Sequence, residues 1–301
     1  MRKSSNWLKF VLIHVLFMGV WGALIEIPEK NGFPATLGYV VWSLTMIPAA
    51  IVGLLKMKGK LEVDKRSIFY GSLVGFLGSV GQLILFLALQ KAPAYLVFPI
   101  LSLTPVVTIL LAVVFLKERT GILGWIAIGI AIIAIFLLSY QQPGSEGPSG
   151  YLWLVLTIIP LLAWGIQGFV MRFANESMKA ESIFFYMMLS SIILTPAALY
   201  MTDFSQPINW SFNGPYLAAG IQILNAFGAL CLVYAFRYGK AIIIAPMTTA
   251  LSPVLTVLIS LAIYAVIPHT LIIIGMLAAI ISAFLMGIEE TKMDERAQRK
   301  Q

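Results

Sequence analysis

Few side chains in this 301-residue chain can do chemistry, and most of those sit inside long apolar runs. Glu26 and His14 are the ionisable groups set apart from the basic residues that flank those runs. A carboxylate there can hold a proton or another small cation, so Glu26, helped by Glu29, reads as an ion-coupling group. The alternative is a hydrated acid at a helix end beside Pro28. His14 reads either as a structural hydrogen-bonding group or as a proton relay.

The uncharged polar residues say more. Gln82, Gln167, Gln222 and Asn225 offer donors and acceptors without the desolvation cost of a charge, which suits a polar or zwitterionic solute. Buried amides also bond neighbouring helices together, so a packing role stands beside the binding role for each. Thr104, Thr248, Thr249 and Ser252 add hydroxyls near two prolines, Pro105 and Pro253, with Pro99 and Pro246 close by. A proline inside a helix lacks the amide N–H and frees a carbonyl of the preceding turn. Thr104 and Ser252, each just before a proline, are placed to satisfy that backbone. Trp21 and Trp164 each precede a glycine within a span, where they could wall a cavity or pack against close helices. These residues form the expected solute-binding set, and the two prolines the expected helix kinks.

Catalytic signatures are absent: there is no His-Glu-x-x-His, no Gly-x-Ser-x-Gly and no phosphate-binding loop. The single cysteine, Cys231, excludes an intramolecular disulfide and a cysteine-rich metal site. No enzyme activity, cofactor or metal is expected. Any work must draw on solute or ion gradients.

The elements that would position these groups follow from composition. Apolar residues make up 60% of the chain and charged residues 11%, against about 25% charged in an ordinary soluble domain. The mean hydropathy is +0.93. Too few polar side chains exist to wet a soluble surface, so soluble and nucleic-acid-binding classes are set aside. Apolar segments recur at 8–28, 35–55, 67–90, 94–116, 121–140, 151–171, 182–201, 214–236, 241–265 and 269–288. Segments this long need helical backbone to satisfy their hydrogen bonds in lipid. The expectation is an all-α integral membrane protein with ten transmembrane helices. The first run, Phe10 to Ile27, is long for a signal sequence and reads as a retained helix.

The net charge of +7 then changes meaning. With both termini cytoplasmic, 18 of the 20 Lys and Arg residues fall on the cytoplasmic side, and only Lys30 and Lys91 fall outside. The expected location is a cell (inner or plasma) membrane, multi-pass, with the bilayer and a small molecule as partners and no nucleic acid. Protons or another ion are candidate coupling partners. Nothing in the sequence specifies an oligomeric state.

The polar stretch QQPGSEGPSG, 141–150, divides the chain into a first five-helix repeat, 7–140, and a second, 151–288, followed by a cytoplasmic tail, 289–301. Trp21-Gly22 matches Trp164-Gly165. LTPVVTILL from Leu103 matches LSPVLTVLI from Leu251. Five helices per half is an odd number, so the second repeat is inverted, as in many secondary transporters, and matched kinks point to a midplane site.

With these motifs the chain resembles the drug/metabolite transporter superfamily with its paired EamA-type domains. The strongest match is LTPVVTILLAVVFLKERTGILGWIAIGIAIIA, Leu103 to Ala134, and the likeness extends from about Trp7 to Gly287. The second half repeats the proline and a later glycine, Gly275, but Val266 stands where Glu118 would recur. Glu118 and Arg119 read as a structural or gating pair. The resemblance implies a central cavity lined by helices 1, 3, 4, 6, 8 and 9, with 2, 5, 7 and 10 more peripheral. It implies a secondary-active carrier working by alternating access, with export of amino acids or related solutes as the first expectation. A sugar-type uptake carrier, an uncoupled pore and a membrane sensor are the alternatives.

Overall fold

The computed structural model describes residues 7–115, 120–138, 140, 150–238, 241–265 and 267–298, with side chains for most of them. Glu118, Arg119, Val266 and nearly all of the 141–150 linker lie outside the described residues, as do the side chains of Thr249 and Pro246.

Every apolar segment becomes helix. The helices are α1 (Trp7–Leu24), α2 (Ile27–Lys30), α3 (Ala35–Lys56), α4 (Lys65–Leu89), α5 (Ala94–Leu101), α6 (Thr104–Phe115), α7 (Ile122–Leu138), α8 (Leu152–Ser177), α9 (Ala180–Tyr200), α10 (Leu217–Tyr238), α11 (Ala241–Tyr264) and α12 (Thr270–Gln298). The first expected helix divides into α1 and α2 at the turn before Pro28, which opens α2. Among the described residues, eight helical stretches are long and apolar enough to cross a membrane, and Ile122–Leu138 and Leu251–Tyr264 are shorter apolar helices. Outward-facing residues such as Leu16, Phe76, Ile133, Phe136 and Leu258 are exposed, as a lipid-facing surface requires. The chain is a multi-pass membrane protein.

Two boundaries differ from expectation. The segment 94–116 breaks between α5 and α6 at Ser102 and Leu103, because Pro99 and Pro105 each remove an amide from the ladder. The segment expected as a tail after 288 continues α12 to Gln298, since Glu, Lys, Met, Arg and Gln are good helix formers. Asp64 caps α4 by accepting from the amides of Arg66 and Ser67. The hydrogen bonds from Ser67 hold its carboxyl below the usual carboxylate range.

The halves interlock rather than stand side by side. Helix α1 packs on α10 and α11, and its counterpart α8 packs on α4 and α6. Helix α3 packs on α9, α7 on α12, and α11 on α5. Exchanging the halves maps this set of contacts onto itself. The helix ends also sort into two groups. Asn209 bonds to Asn31 and Gly32 at one end, near Lys30 and Tyr264. At the other end Tyr186 bonds to the Glu62 carbonyl, and Gly121 bonds to Glu289.

Candidate functional site

Polar side chains inside the bundle bond across the two halves. The Trp21 indole donates to Gln222 Oε1 at 2.8 Å, and the Trp42 indole to Asn225 Oδ1 at 2.9 Å. Gln167 donates to the Val74 carbonyl at 2.9 Å, and Trp164 to the Gly78 carbonyl at 3.2 Å. His14 Nδ1 donates to the Gly228 carbonyl at 2.9 Å. Thr108 donates to Gly165 O at 2.9 Å, and Thr256 to Gly19 O at 3.1 Å. This is a polar seam between the halves. Bonds of this kind contribute about 0.6 kcal/mol each on average in a membrane, so the seam can come apart stepwise.

Glycines let the seam close. A Cβ on Gly22 would lie 2.6 Å from Thr256 Oγ1 and 3.0 Å from the Phe98 ring, so α1 meets α11 and α5 there only without a side chain. Gly165 has no more room, against Val107 and Thr104.

The expected kinks behave unequally. Thr104 donates to the Leu101 carbonyl at 2.6 Å, the oxygen freed by Pro105, and Ser102 donates to that of Pro99 at 2.7 Å. In the second half α11 runs through Pro253 as one helix, and the buried Ser252 hydroxyl makes no hydrogen bond among the described residues. Gln82 is also buried, and its Nε2 has no partner among the described residues. Thr248 is buried on α11.

Asn225 stands apart from the other amides. Its partner Trp42 lies on α3, which packs on α9 and α10 with Tyr39 fully buried and keeps an exposed face at Leu44, Ile51 and Leu55.

Glu26 anchors a second cluster, at the end of the bundle where α1 gives way to α2. It is 3% exposed. The Tyr264 hydroxyl, from the other half, donates to Glu26 Oε1 at 2.5 Å. Lys30 Nζ lies 3.7 Å from the same oxygen and donates to the Tyr264 hydroxyl. Tyr95 sets its ring edge-on to Tyr264, with centroids 5.6 Å apart. Glu26 Oε2 makes no hydrogen bond among the described residues, though the Ala94 amide at the start of α5 lies near the carboxylate. Glu26, Glu29, Gln222, Phe86 and Gly38 border a cavity of about 10 Å³, room for about one water. Trp21, Gln222 and Glu26 are therefore neighbours. A larger hollow of about 470 Å³ between α11 and α12 has an apolar lining that includes Leu258 and Leu277, and suits lipid.

Sequence reasoning missed Lys30, Tyr264, Tyr95, Trp42, Thr108 and Thr256. Two signals were available: Lys30 lies four residues after Glu26 on the same helical face, and the threonines occupy matching places in LTPVVT and LSPVLT. Nothing in the sequence pairs Tyr264 with Glu26.

The comparisons agree with this duplicated architecture. The pattern of the EamA-like transporter family matches residues 5–140 and again 150–288. An uncharacterized protein of Methanocaldococcus jannaschii is 33% identical over 132 residues, which is 44% of this chain and 94% of that protein. That relative therefore corresponds to about one half of this chain. A solved crystal structure shares the fold with a TM-score of 0.57 and 15% identity, covering 92% of this chain and 95% of that one.

Proposed function

The chain belongs to the EamA-like transporter family, and from that premise we propose that it is a secondary carrier working by alternating access. The solute would be a small metabolite, with export of amino acids or related compounds as the first choice. The observation that carries this reading is the polar seam. Trp21–Gln222, Trp42–Asn225, Gln167–Val74, Thr108–Gly165 and Thr256–Gly19 all join one half to the other. Each bond is weak enough to break and remake as the halves rock. Gln82 Nε2 and the Ser252 hydroxyl, without partners among the described residues, are the polar groups left for a solute, beside the indoles and Gln222.

We read ten spans in two inverted five-helix repeats, 7–140 and 151–288, in a cell membrane. Both termini would be cytoplasmic, which puts the Glu26 end outside and the Glu289 end inside. Glu26 would then hold a small cation at the outer mouth.

The test is counterflow in liposomes containing the purified protein. Saturable uptake of labelled amino acid against an internal unlabelled pool is the expected result. Flux that rises without saturation would favour a pore, and specific binding with no flux would favour a sensor.

A further inference from the structure

The Glu26 end holds a cation of a specific kind. Lys30 places a primary ammonium 3.7 Å from a buried carboxylate oxygen and against the hydroxyl of the Tyr264 ring. That ring comes from the second half and is held by Tyr95. Behind it lies the water-sized cavity bordered by Glu26, Glu29 and Gln222, and Glu26 Oε2 makes no hydrogen bond among the described residues. Lys30 itself is 45% exposed and hangs on a flexible four-carbon stem.

A carboxylate and a phenolic oxygen side by side accept hydrogen bonds from a primary ammonium, which carries three donors. Hard divalent ions instead take about six to eight oxygen ligands, and the carboxylates, the amide and the tyrosine hydroxyl here fall short of that. We propose that Glu26 and Tyr264 form a site for the ammonium group of the solute, and that Lys30 occupies it as a tethered stand-in when no solute is present. This deepens the carrier reading and rests on it for the word solute.

The geometry explains why the plug and the closure coincide. Tyr264 bonds to Glu26 across the halves, so Lys30 filling the site also holds the outer ends together. An incoming ammonium must displace Lys30, whose tether gives it a high local concentration. If the lysine fills the site about nine-tenths of the time, the apparent affinity for a free ammonium falls about tenfold.

That tenfold factor is the test. Thermal unfolding of the purified full-length protein is followed in detergent at fixed ionic strength with n-butylammonium as the probe. The uncharged N-butylacetamide serves as control, and sodium and magnesium are tested separately. The expected result is a saturable rise in Tm with butylammonium only, half-saturating about tenfold lower in Lys30→Met. Glu26→Gln should lose the response. Because Glu26→Gln could disturb folding, Lys30→Met, at a half-exposed position, is the deciding variant. Equal stabilisation by N-butylacetamide, or unchanged half-saturation in Lys30→Met, would overturn the site. Counterflow of labelled amino acid separates the two readings. Ammonium binding that follows these variants without any counterflow would sink the carrier and leave the site. Saturable counterflow indifferent to Lys30→Met and Glu26→Gln would sink the site and leave the carrier.

Discussion

Two buried carboxylates sit at opposite ends of the bundle, and they are held in different ways. Glu289, 1% exposed, accepts the Gly121 amide at 2.5 Å and the Thr120 hydroxyl at 3.3 Å. Its donors, a backbone amide and a hydroxyl, lie just before α7, so it ties the first half to α12. Glu26, 3% exposed, is met by a tyrosine hydroxyl and a half-exposed lysine, and its second oxygen makes no hydrogen bond among the described residues. Helix packing repeats under exchange of the halves, yet the chemistry does not. By the Trp21–Trp164 correspondence, Phe169 stands where Glu26 would recur. In the proposed cycle one carboxylate is a bolt and the other a latch.

The largest expected effect would break this contrast if it failed to appear. Glu289→Ala leaves the Gly121 amide and the Thr120 hydroxyl without their acceptor, at a cost of about 3 kcal/mol. Glu26→Gln keeps an acceptor for Tyr264 and should cost less than about 1 kcal/mol. Thermal unfolding of both variants decides it, and equal losses would mean that both ends are structural.

The next effect sharpens the picture of the seam. Gly22→Val would force α1 away from Thr256 and Phe98 and should cost about 2 kcal/mol by overpacking. A methyl group on Gly129 would meet none of the described residues within 4 Å, so Gly129→Ala should be neutral or slightly stabilising. A Gly22→Val protein as stable as Gly129→Ala would mean that the seam does not need its glycines.

The smallest effect lies outside the bundle. The folded-state carboxyl of Asp64 is lowered by its Ser67 hydrogen bonds. Its contribution is therefore full above the unfolded value of about 3.9 and is lost as pH falls through the lowered folded value. Asp64→Ala should lower Tm slightly at neutral pH, and the difference from the parent should shrink only in acid. A difference that shrank near pH 6 would point to another group.

Helix existence was legible because lipid leaves an apolar run of about 20 residues no other backbone solution. Proline break points were partly legible. Thr104 sits where its hydroxyl can reach the carbonyl freed by Pro105, and it does so, whereas Ser252 has the same sequence context and makes no hydrogen bond among the described residues. The local motif specifies the opportunity, and the surrounding helices decide its use. The amides were legible as buried polar groups, but their partners were not. Gln222 found Trp21, 201 residues away, and Asn225 found Trp42, 183 away; no periodicity encodes a pairing of that range. The acceptor of His14, the Gly228 carbonyl 214 residues away, was no more legible. The Glu26–Lys30 spacing was legible, and Tyr264, which turns that pair into a cage, was not.

Alternating access, as proposed, requires that the two halves part at the Glu26 end, and Lys30 and Tyr264 mark where they meet. The direct measurement introduces cysteines at Asn31 and Asn209, which bond to each other across the halves at that same end, in a Cys231→Ser background and joins them with a short, reducible bifunctional maleimide. Counterflow in liposomes is then followed before tying, after tying and after reduction. The account expects the tied protein to lose counterflow and to recover it on reduction. Saturable counterflow at an undiminished rate in the fully tied protein would contradict it.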